Sequence, residues 1–253
     1  MSARTIRLGH LYPREMSIYG DRGNIISLHD RTRRRGIELD VVEIGRDSDG
    51  VDDIDIFFMG GGQDQDQDLV ASDLAGPKRE AVKAAIAGGA ALLAVCGGYQ
   101  FLGSHYTTVD GTRVPGLGLV DLRTEAGQTR AIGNVLVDAS MLGLDPPTLV
   151  GFENHAGRTF LGPGLSPLGR CIVGRGNNGA DGVEGVVSGT VIGTYLHGSL
   201  LPKNPHLTDH LLAIALAHRH PGSELEPLDA AEEMAAHRAM AERIRREGAL
   251  GNR

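Results

Sequence analysis

The chain has 253 residues, 41% of them hydrophobic, enough to bury a sizeable core in one large α/β domain spanning 1–253. A formal net charge of −7 argues against non-specific binding to nucleic acid or an acidic membrane surface, and no apolar run reaches the length of a bilayer. Two cysteines, Cys96 and Cys171, far apart and in no metal-ligand spacing, exclude a disulfide scaffold or zinc site and suit a reducing, cytoplasmic compartment.

Residues 5–11 alternate as a first strand, followed by a polar, glycine-punctuated loop over 12–24 of the kind that faces the crevice of a parallel sheet. Residues 25–35 carry a helical period. Their basic run, Arg31, Arg33, Arg34 and Arg35, reads as a solvated face complementing the helix dipole, with an acidic partner's docking surface as the alternative. Strands follow at 38–44 and 54–59. The second empties into Gly60, Gly61 and Gly62, whose backbone N–H groups could cradle an oxyanion or simply make a turn. A helix over 77–88 begins with Pro77 and closes on glycine.

The next stretch organises the chain. Ala90 to Val95 is a continuous apolar run, as in a buried parallel strand, and it stops at Cys96-Gly97-Gly98 before a new apolar period begins. That pattern is a strand-to-helix elbow with a thiol at its tip, and the glycines leave room for the tight turn and for a substrate carbonyl. A helix N-terminus there would favour the thiolate. The plainer alternative is a small buried cysteine.

Beyond Gly103 the segments become short and glycine-separated. Strands are expected at 131–137, 148–153, 171–173, 183–187 and 191–195, forming further sheet and antiparallel ribbon, and helices at 207–218 and 229–247. His197, at the end of the last strand, is poised to project into the crevice, and with Cys96 it would make a nucleophile–base pair. No carboxylate follows it closely: the next residues are Gly198, Ser199 and Leu200. Glu153 and His155 could orient His197 or serve a structural or interface role, and Cys171 reads as packing.

Ala94-Val95-Cys96-Gly97-Gly98-Tyr99-Gln100 together with Tyr195-Leu196-His197-Gly198 resembles the class I glutamine amidotransferase family, in its cobyric acid synthase-like branch. The segments Tyr19 to Asn24, Gly60 to Asp64 and Gly151 to Thr159 more narrowly resemble the GatD-type glutaminase subunits of lipid II isoglutaminyl synthase. The resemblance implies a flavodoxin-like, mostly parallel sheet flanked by helices with antiparallel additions. It implies that L-glutamine is hydrolysed through a thioester on Cys96 with His197 as base, that Gly97 and the Gly61 and Gly62 loop hold the oxyanion, and that Arg130 takes the substrate carboxylate. It also implies a heterodimer with MurT, a Mur-ligase-like subunit that supplies the acid orienting His197 and uses ATP and Mg to amidate D-glutamate in lipid II. No cofactor or metal is expected in this chain. Rival readings are a non-catalytic binding or scaffold protein on the same fold, and a glutaminase serving another amidation such as cobyric acid synthesis.

Overall fold

The computed structural model describes residues 4–17, 21–46, 48, 51–62, 64–197 and 199–251. Tyr19, Gly20, Gln63 and Gly198 of the quoted motifs lie outside the described residues. The fold is α/β.

The first sheet contains β1 (Arg4–Leu11), β2 (Ile37–Ile44), β3 (Ile56–Met59) and β4 (Ala91–Val95), joined later in the chain by two further strands. The helices between them are α1 (Arg22–Arg33), α2 (Asp64–Leu74) and α3 (Pro77–Ala87), and the short α4 (Gly97–Gln100) follows the elbow. A second set of strands comprises β5 (His105–Thr107), β6 (Arg113–Pro115), β7 (Leu122–Asp138), β8 (Thr148–Leu161), β9 (Gly169–Val173) and β10 (Val183–Glu184). The chain then returns through β11 (Val186–Ser188) and β12 (Val191–Thr194), and ends in α5 (Leu200–Lys203), α6 (Pro205–Arg219) and α7 (Ala231–Gly251).

In the first sheet the strand order is β11-β12-β4-β3-β1-β2, parallel except for β11. Its central strands are buried on both faces, which is why they read as unbroken apolar runs. Alternate residues still divide between two cores. Ile56, Phe58, Leu93 and Val95 pack under α6, whereas Phe57, Met59, Leu92 and Ala94 pack with Val70 and Leu74 of α2 and Val82 of α3.

The second sheet runs β10-β9-β7-β5-β6, with β8 laid antiparallel along β7. Helix α7 packs on β7, β8 and β9, burying Ala241 and Ile244 against Leu136 and Val150. The two sheets touch where Phe152 of β8 bridges His197 beyond β12.

One expectation is corrected and one element is added. The acid-rich stretch after Gly62, for which the sequence suggests no element, forms helix α2, whose Gln67, Val70, Ala71 and Leu74 turn inward at helical spacing. The basic run is not a solvated face. Arg31, with a side chain 3% exposed, makes a forked pair of bonds to Asp209 of α6 (2.6 Å each) and reaches Glu233 of α7 (3.0 Å). Arg35 also pairs with Asp209 (2.9 Å). Arg31 of α1 and Arg35, just past its end, both turn toward α6, whereas Arg33, 66% exposed, is the solvated member.

Candidate functional site

The elbow owes its shape to strand β4. Cys96 N–H donates to the Thr194 carbonyl of β12 (2.8 Å), extending the parallel ladder by one residue before the chain turns. Cys96 then adopts φ 53°, ψ −109°, a conformation that costs a non-glycine residue about 1–3 kcal/mol and is retained where the surroundings enforce it. The surroundings here are close. Gly98 N–H donates to the Gly60 carbonyl (3.0 Å), and a Cβ at Gly98 would come within 2.5 Å of the Met59 carbonyl oxygen. Strand β3 and the elbow therefore approach each other at a distance only glycine allows.

Beside the thiol lies an open cavity of about 240 Å³ whose wall includes Gly62, Gln67, Cys96, Gln100, Arg130 and His155. The Gly60–Gly62 loop is shaped from both ends. Gly61 N–H donates to Asp21 Oδ2 (3.3 Å), so that group is turned to Asp21, while the Gly62 nitrogen lies 3.2 Å from where a Cβ on Gly97 would stand.

Arg130 arrives by an irregularity in the long ribbon. Ala126 faces Gly157 and Ala131 faces His155, so the residues between them bulge out of the β7–β8 register. The bulge delivers Arg130 to the cavity rim, where Nε donates to Asn154 Oδ1 (2.9 Å) and Nη2 to the Asn154 carbonyl (2.8 Å). The strand expected from the sequence begins at Ala131, one residue after Arg130; the bulge that carries Arg130 depends on the partner strand.

His197 stands at the end of the strand beside Cys96: the register pairs Thr194 with Val95. It is 3% exposed, its N–H donates to the Phe152 carbonyl (3.0 Å), and its ring meets Phe152 edge-on at 6.3 Å. A bond to the Asn154 backbone links the imidazole to the same residue that holds Arg130.

The electrostatics correct one expectation. Burial, followed by the negative charge of Asp21, pushes the Cys96 thiol up to about 12, against the smaller opposing effects of Gly97 N–H and Arg130. Desolvation therefore favours the protonated thiol in the resting site, outweighing the Gly97 N–H and Arg130 that favour the thiolate. Burial also lowers His197 to about 4, so its imidazole is neutral near pH 7.

Glu153 serves the backbone: its carboxylate accepts the N–H groups of Arg175 (2.9 and 3.0 Å) and Gly176 (3.0 Å). His155 lies flat on Tyr195, ring centres 3.6 Å apart, and bonds through Nδ1 to the Gly157 carbonyl (2.9 Å). Burial holds it at about 4.

Sequence reading overlooks three residues. Gln100 lines the cavity and reaches Tyr195 Oη (3.4 Å), and its signal was its place one helical turn after Cys96. Gln67 was hidden because α2 was not recognised. Buried Glu184 accepts Thr194 Oγ1 (2.6 Å) and Tyr195 N–H (2.7 Å), and burial raises it to about 7; no local pattern announces it. Among the described residues no cluster suited to a metal ion occurs, and no helix is long and apolar enough to cross a membrane.

Residues 7–205 match the CobB/CobQ-like glutamine amidotransferase domain. The chain is 40% identical over 240 residues to the lipid II isoglutaminyl synthase (glutamine-hydrolyzing) subunit GatD of Staphylococcus aureus (strain N315), covering 94% of this chain and 96% of that one. It is 37% identical over 218 residues to the GatD subunit of Streptococcus pneumoniae (strain ATCC BAA-255 / R6), covering 85% and 82%. A solved glutamine amidotransferase has the same fold, with a TM-score of 0.57 at 19% identity, covering 82% of this chain and 98% of that one.

Proposed function

This chain is a glutamine amidotransferase of the CobB/CobQ-like family, and we propose that it is the glutaminase subunit of a lipid II isoglutaminyl synthase. The observation that carries the reading is the end-to-end similarity to GatD subunits, joined to a cysteine on a strained elbow beside an open cavity. The whole chain, 1–253, acts as one amidotransferase domain in the cytoplasm.

L-glutamine enters with its carboxylate on Arg130 and its side-chain amide at Cys96. The sulfur attacks the amide carbon, and the thiol proton passes to His197. Burial holds the thiol protonated and the imidazole neutral in the resting site, so the proton moves as the C–S bond forms rather than beforehand. The N–H groups of Gly62 and Gly97 receive the developing oxyanion, while Gly61 anchors their loop through Asp21. His197 returns its proton to the amide nitrogen, the C–N bond breaks, ammonia leaves and a γ-glutamyl thioester remains. Water then cleaves the thioester, giving glutamate and restoring the thiol.

The ammonia goes to a Mur-ligase-like partner, MurT, which contributes an aspartate to orient His197. MurT also uses ATP and Mg to activate the D-glutamate carboxyl of the lipid II stem peptide.

In the reconstituted two-subunit complex, Cys96→Ser should abolish ammonia release and glutamine-dependent amidation, while an ammonium salt still supports amidation. Undiminished ammonia release by the serine variant would remove the nucleophile and with it the mechanism.

A further inference from the structure

The oxyanion donor assigned to Gly62 belongs to a peptide unit with glycine on both sides, and two glycines in sequence leave such a unit free to rotate. The two neighbouring peptide units are each tied. The one before it presents Gly61 N–H to Asp21 Oδ2 (3.3 Å), and the one after it presents the Gly62 carbonyl to Gln67 Nε2 (3.3 Å). Gln67 projects from α2, is only 6% exposed and forms part of the wall beside Cys96. Its Nε2 also stands 2.9 Å from the place a Cβ on Gly97 would take, so the amide is wedged between the glycine loop and the elbow.

We infer that Gln67 is a positioning residue for the transition state: it fixes the plane of the Gly61–Gly62 peptide and the spacing between the Gly62 and Gly97 N–H groups. The inference rests on the glutaminase reading above. It makes a specific kinetic demand, because Gln67 acts on an oxyanion that exists only after sulfur attack. Its loss should lower kcat and leave KM for glutamine nearly unchanged.

The test uses the two-subunit complex carrying Gln67→Met, which keeps the bulk and removes the donor, or Gln67→Asn, whose amide falls short of the Gly62 carbonyl. Removing an oxyanion donor outright costs about 10²–10³ in kcat, so loosening one should cost about ten- to a hundredfold. KM should stay within about twofold. Alkylation of Cys96 by iodoacetamide, a displacement that builds no oxyanion at a carbonyl, should proceed at the wild-type rate. Turnover within twofold of wild type in both variants would overturn the inference alone, as would alkylation falling in step with turnover. A wild-type complex that releases no ammonia from glutamine would overturn the glutaminase reading and this inference with it.

Discussion

Replacing Arg130 with alanine gives a direct reading of how the substrate is held. The guanidinium spends its Nε–H and one N–H of Nη2 on Asn154, leaving its other N–H groups and its charge at the cavity rim, where the side chain is solvent-exposed. A hydrogen bond to a charged group contributes about 1.5–3 kcal/mol, and exposure puts this one toward the lower half. A loss of about 2 kcal/mol corresponds to a rise in KM of about 30-fold, with kcat within about threefold of wild type because the reacting amide lies elsewhere. Arg130→Lys should fall between, since a point charge keeps the attraction but not the forked grip on Asn154. Steady-state ammonia release against glutamine concentration, measured on the complex, reads both constants. A collapse of kcat at unchanged KM would refute substrate anchoring and move Arg130 into the chemical step, through the Asn154 backbone it shares with His197.

Arg31→Met should lower unfolding stability by about 2 kcal/mol, because it removes the buried forked contact to Asp209 and the bond to Glu233 while Arg35 and Arg34 still hold those two acids, whereas Arg33→Ala should change it by less than about 0.5 kcal/mol. Urea midpoints of the two variants decide between them, and equal small effects would restore the solvated-face reading. Acid should weaken the fold through His155. Its folded value of about 4 lies below the ordinary 6.5, so the unfolded chain binds the proton more readily, and stability present above pH 6.5 is lost as pH falls toward 4. The gap converts to about 3 kcal/mol, and His155→Phe, which can keep the stack on Tyr195, should lose that much less between pH 7 and 4 in urea titrations. Parallel pH profiles for the two proteins would show that the imidazole carries no such penalty.

The elbow and its scaffold were legible in the sequence. An apolar run stopping at Cys96-Gly97-Gly98 can be little else than a buried strand turning into a helix, because burial on both faces removes the polar alternation and the tight turn excludes side chains. Strand ends at Met59 and Leu11, and Pro77 opening a helix, were set by the same local rules. Tertiary structure alone decided the rest. Arg130 reaches the cavity because β8 forces a bulge in β7; Arg31 and Arg35 are buried because α6 and α7 bring acids to them; Gly61 N–H is turned away because α1 brings Asp21 there. The thiol is protonated because the whole fold desolvates it, whatever its helix terminus would favour. Local sequence governs the conformation of the chain, whereas hydrogen-bond partners and proton affinities depend on which distant residues the packing brings close and how much water it removes.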